Sequence, residues 1–429
     1  MSRPAQRQAQ RGAATLVVVM VMFLVVAMLA AYGGRNLIFE QRVAANDVRA
    51  ASAREAAEAG LEWGLAQLNA GKMDAACRPS SSGTDTFRDR YLSIDVERRI
   101  TPRRPASGLV AIANCVRDAE AGWQCQCPPP GTLQDPGVNG SPALRPSFLL
   151  QFEPIGRNGV VRLLAKGCSD SALSVCNDLD RQQEASVLLL GASLARVNAA
   201  LLVALKTPPA APLTSRLAVT TDAQGVGLHN SDPRSGGLLL LTGAALPALP
   251  AERLDSLPGA APEQALVGDD ARLAVARDDR LFRQTFGIPP DAYSQQPTVQ
   301  RIACAADCVT ALAGAQANGV RVVWIEGDAT LAKNLEIGTD DAPLLVVVNG
   351  SAQLTGPMIL HGLLYVRGDL RWSNASGQPA LLSGAAVVEG GVAISGRVDF
   401  NYQRAVLDRL ANVTGSFVRL PGSYSDANR

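Results

Sequence analysis

Histidine is almost missing from this chain: 429 residues contain two, His229 and His361. That removes the commonest general base and metal ligand from nearly every position. Neither has a cysteine or a nucleophile motif beside it, so both read as structural polar residues. GxSxG, Walker and HExxH patterns are also absent. A catalytic centre, a cofactor site and a metal site are therefore not expected. Lysine occurs only at positions 72, 166, 206 and 333, and the net charge is +1. There is no global field to draw nucleic acid, so no nucleic-acid partner is expected. Beyond residue 32 no stretch approaches 18 uninterrupted apolar residues, which leaves one membrane span at most among helices. Aromatics are only 4% against 39 glycines and 26 prolines, a composition rich in turns and poor in bulky core side chains.

What the chain does have is concentrated at its start. Arg3, Arg7 and Arg11 precede twenty uncharged, mostly apolar residues, Ala13 to Tyr32. A helix of that length rises about 30 Å, the thickness of a hydrocarbon core. The positive-inside bias places the arginines in the cytoplasm and everything after residue 35 on the far side. A cleaved signal peptide would have a shorter apolar core followed by its cleavage site. Here the run passes into a second helical stretch, 33–70, with Leu37, Ile38, Val48, Leu61, Leu65 and Leu68 as its apolar set. Arg54 and Glu58 attract at i, i+4, while Glu58 and Glu62 repel. Gly71 is the expected stop.

The run QRGAATLVVVMVMFLVVAMLAAYGG, followed by NLIFEQRVAANDVRAASAREAAEAGLEWGLAQLN, resembles the N-terminal region of PilX-family type IV pilus assembly proteins. These are minor pilins with class III prepilin-like N-termini. The resemblance covers about residues 8–70 and includes the Ala-Glu-Ala-Gly-Leu stretch at 57–61. It implies cleavage between Gly12 and Ala13, after Arg11, by a prepilin peptidase, and an N-methylated Ala13. Most major pilins carry glutamate at the fifth mature position, where this chain has Val17. That departure points to a low-copy position near a tip rather than a bulk filament subunit. The implied partners are prepilin peptidase, other minor pilins and pilus assembly proteins, and inner-membrane lipid. The implied location is the bacterial inner membrane, single-pass, with a periplasmic C-terminal part that enters the pilus.

Eight cysteines suit an oxidising compartment. Cys168 with Cys176 and Cys304 with Cys308 are the expected short-loop bridges, and Cys77 is left to pair with Cys115, Cys125 or Cys127. Cys125-Gln126-Cys127 is too tight for structural zinc, whose paired cysteines stand two to four residues apart. Strands are expected at SFLLQFEPIG, VVRLLAKGC and ASVLLLGAS (185–193). The C-terminal third repeats a unit of apolar strand, polar residue, glycine and short strand. The glycines are Gly327, Gly350, Gly368 and Gly390, 23, 18 and 22 residues apart. Each glycine is read as the bend between two strands. Such spacing suits the coils of a parallel β-solenoid, with a β-sandwich of hairpins left open. A helix and loop at 271–297 is expected between coils, and a helix at 400–413 as a cap on the solenoid edge. The acidic pairs Asp269-Asp270, Asp278-Asp279 and Asp340-Asp341 leave a calcium site open.

The fold expected is α+β and mostly β. Its parts are a leader (1–12), a transmembrane helix (13–32) and an amphipathic helix (33–70). A disulfide-containing pilin-like α/β region (71–195) and a solenoid-like repeat domain (196–429) follow. The expected function is that of a minor pilin that primes or caps pilus assembly, with a role in adhesion. A type II secretion pseudopilin, or an anchored periplasmic solenoid that binds or cleaves glycan, stays open.

Overall fold

The computed structural model describes residues 11–103, 113–118, 120–129, 145–171, 191–276, 279–304, 306–332 and 334–426, with backbone alone at 11–13. A single helix, α1 (Arg11–Leu68), runs 58 residues, about 87 Å. Its two ends live in different surroundings. From Ala14 to Ala51 every side chain is exposed, whereas Ala53, Ala56, Ala57, Gly60, Leu61, Gly64, Leu65 and Leu68 are buried. That 3-4-3-4 spacing is one face of a helix. Alanine and leucine hold the helix by propensity; burial of the face fixes its upper end.

The buried face lies on an antiparallel sheet. Its first five strands are β1 (Asn114–Asp118), β2 (Gly122–Gln126), β3 (Ser147–Pro154), β4 (Val160–Cys168) and β5 (Ala192–Val203). Strands β3 and β4 form a hairpin about the turn at Gly156–Gly159, with Pro154 opposite Val161. Strand β5 runs unbroken through residues 195 and 196, and its alternation puts Ala195, Val197, Ala199 and Leu201 under α1.

Two parallel sheets make up the repeat region. Their strands, in chain order, are β6 (Val219–Thr221), β7 (Val226–His229), β8 (Val299–Ala303), β9 (Val322–Glu326), β10 (Ala329–Leu331), β11 (Leu344–Val348), β12 (Ala352–Thr355), β13 (Met358–Val366), β14 (Leu370–Asn374), β15 (Leu381–Val388), β16 (Val392–Gly396) and β17 (Val398–Tyr402). One sheet runs β8-β9-β11-β13-β15-β17-β7 and the other β10-β12-β14-β16-β6. Successive units are offset by 23, 18 and 22 residues: Val322 pairs Leu345, Leu345 pairs Leu363, and Leu363 pairs Ala385. The second sheet keeps the same offsets, Ala329 to Ala352 to Leu370 to Val392. These equal the intervals between the four repeat glycines. Parallel neighbours cannot be joined by tight hairpins, which removes the hairpin sandwich.

The first of these sheets is apolar on both faces, as parallel sheets covered on both sides are. Ile325, Val346, Leu364 and Val388 face the second sheet and its Leu354, Trp372 and Ile394. Trp324, Val347, Tyr365 and Val387 face outward, under α2 (Arg280–Phe286) and α3 (Arg404–Asn412). Residues 271–297 thus supply short helices, and Phe282 and Phe286 stack on Tyr365. Helix α3 differs from its expected place. Residues 400–402 still belong to a strand, and the helix lies across the sheet face, Leu407 and Leu410 inward, rather than over the edge.

The chain then returns to the first sheet. Strand β18 (Gly415–Arg419) pairs antiparallel with β5, Gly415 opposite Val203.

Candidate functional site: the projecting helix

No side chain between Ala14 and Ala51 has cover, and that is the most distinctive chemical fact in the structure. Leu16 to Leu29 present apolar surface in every direction around the helix. Water cannot be the solvent for such a rod; a bilayer or other helices are. Among the described residues α1 alone is long and apolar enough to cross a membrane, and none of its most apolar window is buried.

The upper end is built for rigid attachment. Gly60 and Gly64, one turn apart, let Phe148 and Leu150 press against the helix backbone; a Cβ on Gly60 would sit 2.9 Å from the Phe148 ring. Gly167 on β4 brings the sheet equally close to Ala53 and Ala57. At the helix end, Asn69 donates to the carbonyls of Leu65 (3.0 Å) and Phe417 (2.9 Å) and accepts from the Phe417 N–H (2.7 Å). The C-terminal segment adds Arg419 to Glu62 (3.1 Å), Tyr424 Oη to Glu58 (2.9 Å) and Arg54 to Asp426 (3.6 Å). Partial burial and the bond to Glu58 both push the Tyr424 hydroxyl pKa upward. A free apolar rod is thus clamped rigidly to a small sheet.

Residues 11–62 match the PilX N-terminal family. That match takes in the whole exposed part of α1 and ends within its buried part. No curated protein matches the chain. A solved structure with some likeness is the competence-associated pilin ComZ from Thermus thermophilus, 10% identical, with 88% of this chain and 98% of that one covered. Its TM-score of 0.23 transfers neither fold nor role.

On the pilin-like helix, Arg11, Gly12 and Ala13 form the first turn, and Val17 is 58% exposed among other apolar side chains. The remaining leader residues lie outside the described residues. Cys77 is bonded to Cys127, Cys115 to Cys125 across the β1–β2 hairpin, and Cys304 to Cys308. Cys168 is also disulfide-bonded, and Cys176 lies outside the described residues.

The repeat glycines form a column at one corner, where the Gly368 N–H donates to the Gly350 carbonyl (2.7 Å) and Gly390 to Gly368 (3.0 Å). Gly327 alone has a positive φ, 71°. At Gly350, Gly368 and Gly390 the requirement is space, because a Cβ would run into the backbone of the glycine one repeat earlier. All four lie at a bend between consecutive strands of the two sheets, and Gly327 alone among them takes a left-handed backbone there.

The other candidates are taken up by structural contacts. His229 Nε2 stands 3.3 Å from Asp399, which also meets Arg253 at 3.0 Å. Burial pushes the Asp399 carboxyl up, and His229 and Arg253 together hold it below its usual range. His361 pairs with Asp340 (2.7 Å), Asp341 with Arg409 (2.7 Å) and Asp279 with Arg367 (2.5 Å). Asp270 caps a short helix at Ala271, and Asp278 lies outside the described residues. Among the described residues no three metal-ligating side chains converge. A cleft of about 310 Å³ between the antiparallel sheet's flank and the repeat region holds the Arg321–Asp89 ion pair (3.2 Å) and no nucleophile–base pair.

Asn69 and the three packing glycines were not singled out from sequence. Gly60 and Gly64 at i, i+4 in a helix of high propensity were the available signal, since glycine there costs about 1 kcal/mol and needs a packing reason.

Proposed function

We propose that this protein is a PilX-type minor pilin. It is inserted through α1, cut between Gly12 and Ala13 by prepilin peptidase, and N-methylated at Ala13. It sits in the inner membrane with residues after 35 in the periplasm. Its free helix packs with the helices of other minor pilins to prime or cap a type IV pilus. The observation that carries this reading is the change of surroundings along one unbroken helix, solvent-exposed grease below Ala51 and a tightly packed face above it. An anchor that merely tethered a domain would need no rigid continuation into that domain. Val17, apolar where an assembly carboxylate is usual in major pilins, supports a low-copy place near the tip. The matching offsets of the two parallel sheets support reading the repeat region as a short β-solenoid, held outward as a platform for adhesion.

Mass spectrometry of the protein from its native membrane tests the reading. A chain starting at N-methylated Ala13 is expected. A chain retaining Met1 would make it an ordinary anchored protein and sink the pilin assignment.

A further inference from the structure

Between the span and the antiparallel sheet, α1 carries five charges: Arg35, Arg42, Arg49, Glu40 and Asp47. None makes an ion pair or side-chain hydrogen bond among the described residues; the first pair along the helix is Arg54 with Glu58. Their spacing explains this, since oppositely charged residues meet on a helix at three or four positions apart and none of these do. Like charges instead recur every seven residues. At about 100° per residue the arginines form one row and the acids another, roughly 150° apart around the helix.

Two faces lie between the rows. The narrower one, with Phe39, Val43 and Ala50, continues upward into Ala53, Ala57 and Leu61, which carry the antiparallel sheet. A second helix as long as α1 is blocked there. The wider face, Gly34, Leu37, Ile38, Gln41, Ala44, Ala45 and Val48, points away from the sheet and is exposed along its length. It continues down into the span through Ala27 and Ala30, small residues that let helices approach closely.

We propose that the wider face docks the same face of a second copy of this chain, with the two helices parallel. The inference rests on reading α1 as an assembly helix. Charge decides the orientation. In a parallel pair the arginine row of each copy lies beside the acidic row of the other, on both sides of the seam. An antiparallel pair would set arginine against arginine. Parallel is also the only arrangement open to two chains anchored by the same end. The antiparallel sheets then face outward and do not collide. Surface ion pairs are individually weak, so the rows select orientation and register while the small apolar face supplies the contact. Anionic headgroups do not explain the rows, because Arg42 and Arg49 stand about 10 and 21 Å beyond Arg35 along the axis.

The test uses full-length protein in its native membrane, as two copies bearing different epitope tags and single cysteines, treated with a short bis-maleimide. Arg42→Cys in one copy and Asp47→Cys in the other should give a mixed dimer several-fold above that from Arg42→Cys in both. Arg42→Glu in both copies should abolish the dimer formed through Gln41→Cys, at the middle of the wider face, and adding Glu40→Arg should restore it. Equal yields from the 42–42 and 42–47 pairs, or no dimer, would overturn the proposal. Adducts to a different pilin without self-adducts would also overturn it while leaving the assembly role intact. No adduct to any chain, together with an unprocessed N-terminus, would remove both.

Discussion

Replacing Gly167 by alanine should pry α1 from its sheet. A Cβ there would stand 2.9 Å from the Ala57 Cα and closer still to the Ala53 carbonyl oxygen and the Ala57 amide nitrogen. Carbon–carbon contacts settle near 3.5–4.0 Å, so the helix must lift by about 1 Å. Every obstructing atom is backbone, so no change of rotamer relieves the clash. Overpacking of this kind costs about 1–3 kcal/mol. The lift also loosens Ala53, Ala57 and Leu61, all 3% exposed or less, and brings the expected loss to about 3 kcal/mol. The assay is thermal unfolding of the full chain in detergent, with hydrogen exchange read at amides 53–68. A melting point lower by several degrees and faster exchange in that segment are expected. Gly314→Ala is the control. It lies in a helix with nothing within 4 Å of its Cβ position, and should gain up to about 1 kcal/mol. If Gly167→Ala melts with the wild type and its helical amides stay protected, close packing does not hold the helix.

Gly368→Ala should act at the other core: its Cβ would lie 2.8 Å from the Gly350 carbonyl carbon, and a loss of about 1–3 kcal/mol is expected by chemical denaturation. Asn69→Ala removes three hydrogen bonds, two of which join the helix end to Phe417, and about 2–3 kcal/mol of stability with them, visible as earlier proteolysis of the C-terminal segment. Acid should act through Asp85, whose carboxyl is held below its usual range by the hydrogen bonds from Arg90, at 2.6 and 3.1 Å. A depressed folded pKa means that this contribution is complete above about pH 4, the unfolded value, and fades as pH falls through the folded one. Asp85→Asn should cost about 1–2 kcal/mol at neutral pH and flatten the melting-point curve below about pH 4; an unchanged acid limb would remove Asp85 from its cause.

The helix was legible because its signals are local: an apolar run, alanine propensity and charge placement. The β3–β4 hairpin was legible for the same reason, and so was the repeat, whose glycine intervals are the strand registers themselves. What sequence could not show is set by long-range contact. Strand β5 reads as Ala-Ser-Leu-Ala-Arg-Val-Asn-Ala-Ala, with small residues where bulky ones would announce a strand, because α1 needs a close seat there. Cysteine spacing allowed three partners for Cys77, and only the fold brings Cys127 to it. The pairing of β18 with β5 spans more than two hundred residues and leaves no trace in periodicity. The acidic pairs looked alike in sequence; their partners, Arg367, His361 and Arg409, come from distant strands and helices.

Val203 and Gly415 are opposite one another in the antiparallel sheet, so the whole repeat region leaves and re-enters at a single rung of that ladder. In mechanical terms it is a side branch. A pull along α1 runs through Gly60, Gly64 and Asn69 into β4, β5 and β18 and back to the helix through Arg419 and Tyr424, a closed circuit that bypasses the parallel stack. Repeats could be added to the parallel stack or taken from it, and its outer surface rewritten, while the Val203–Gly415 rung stays where it is.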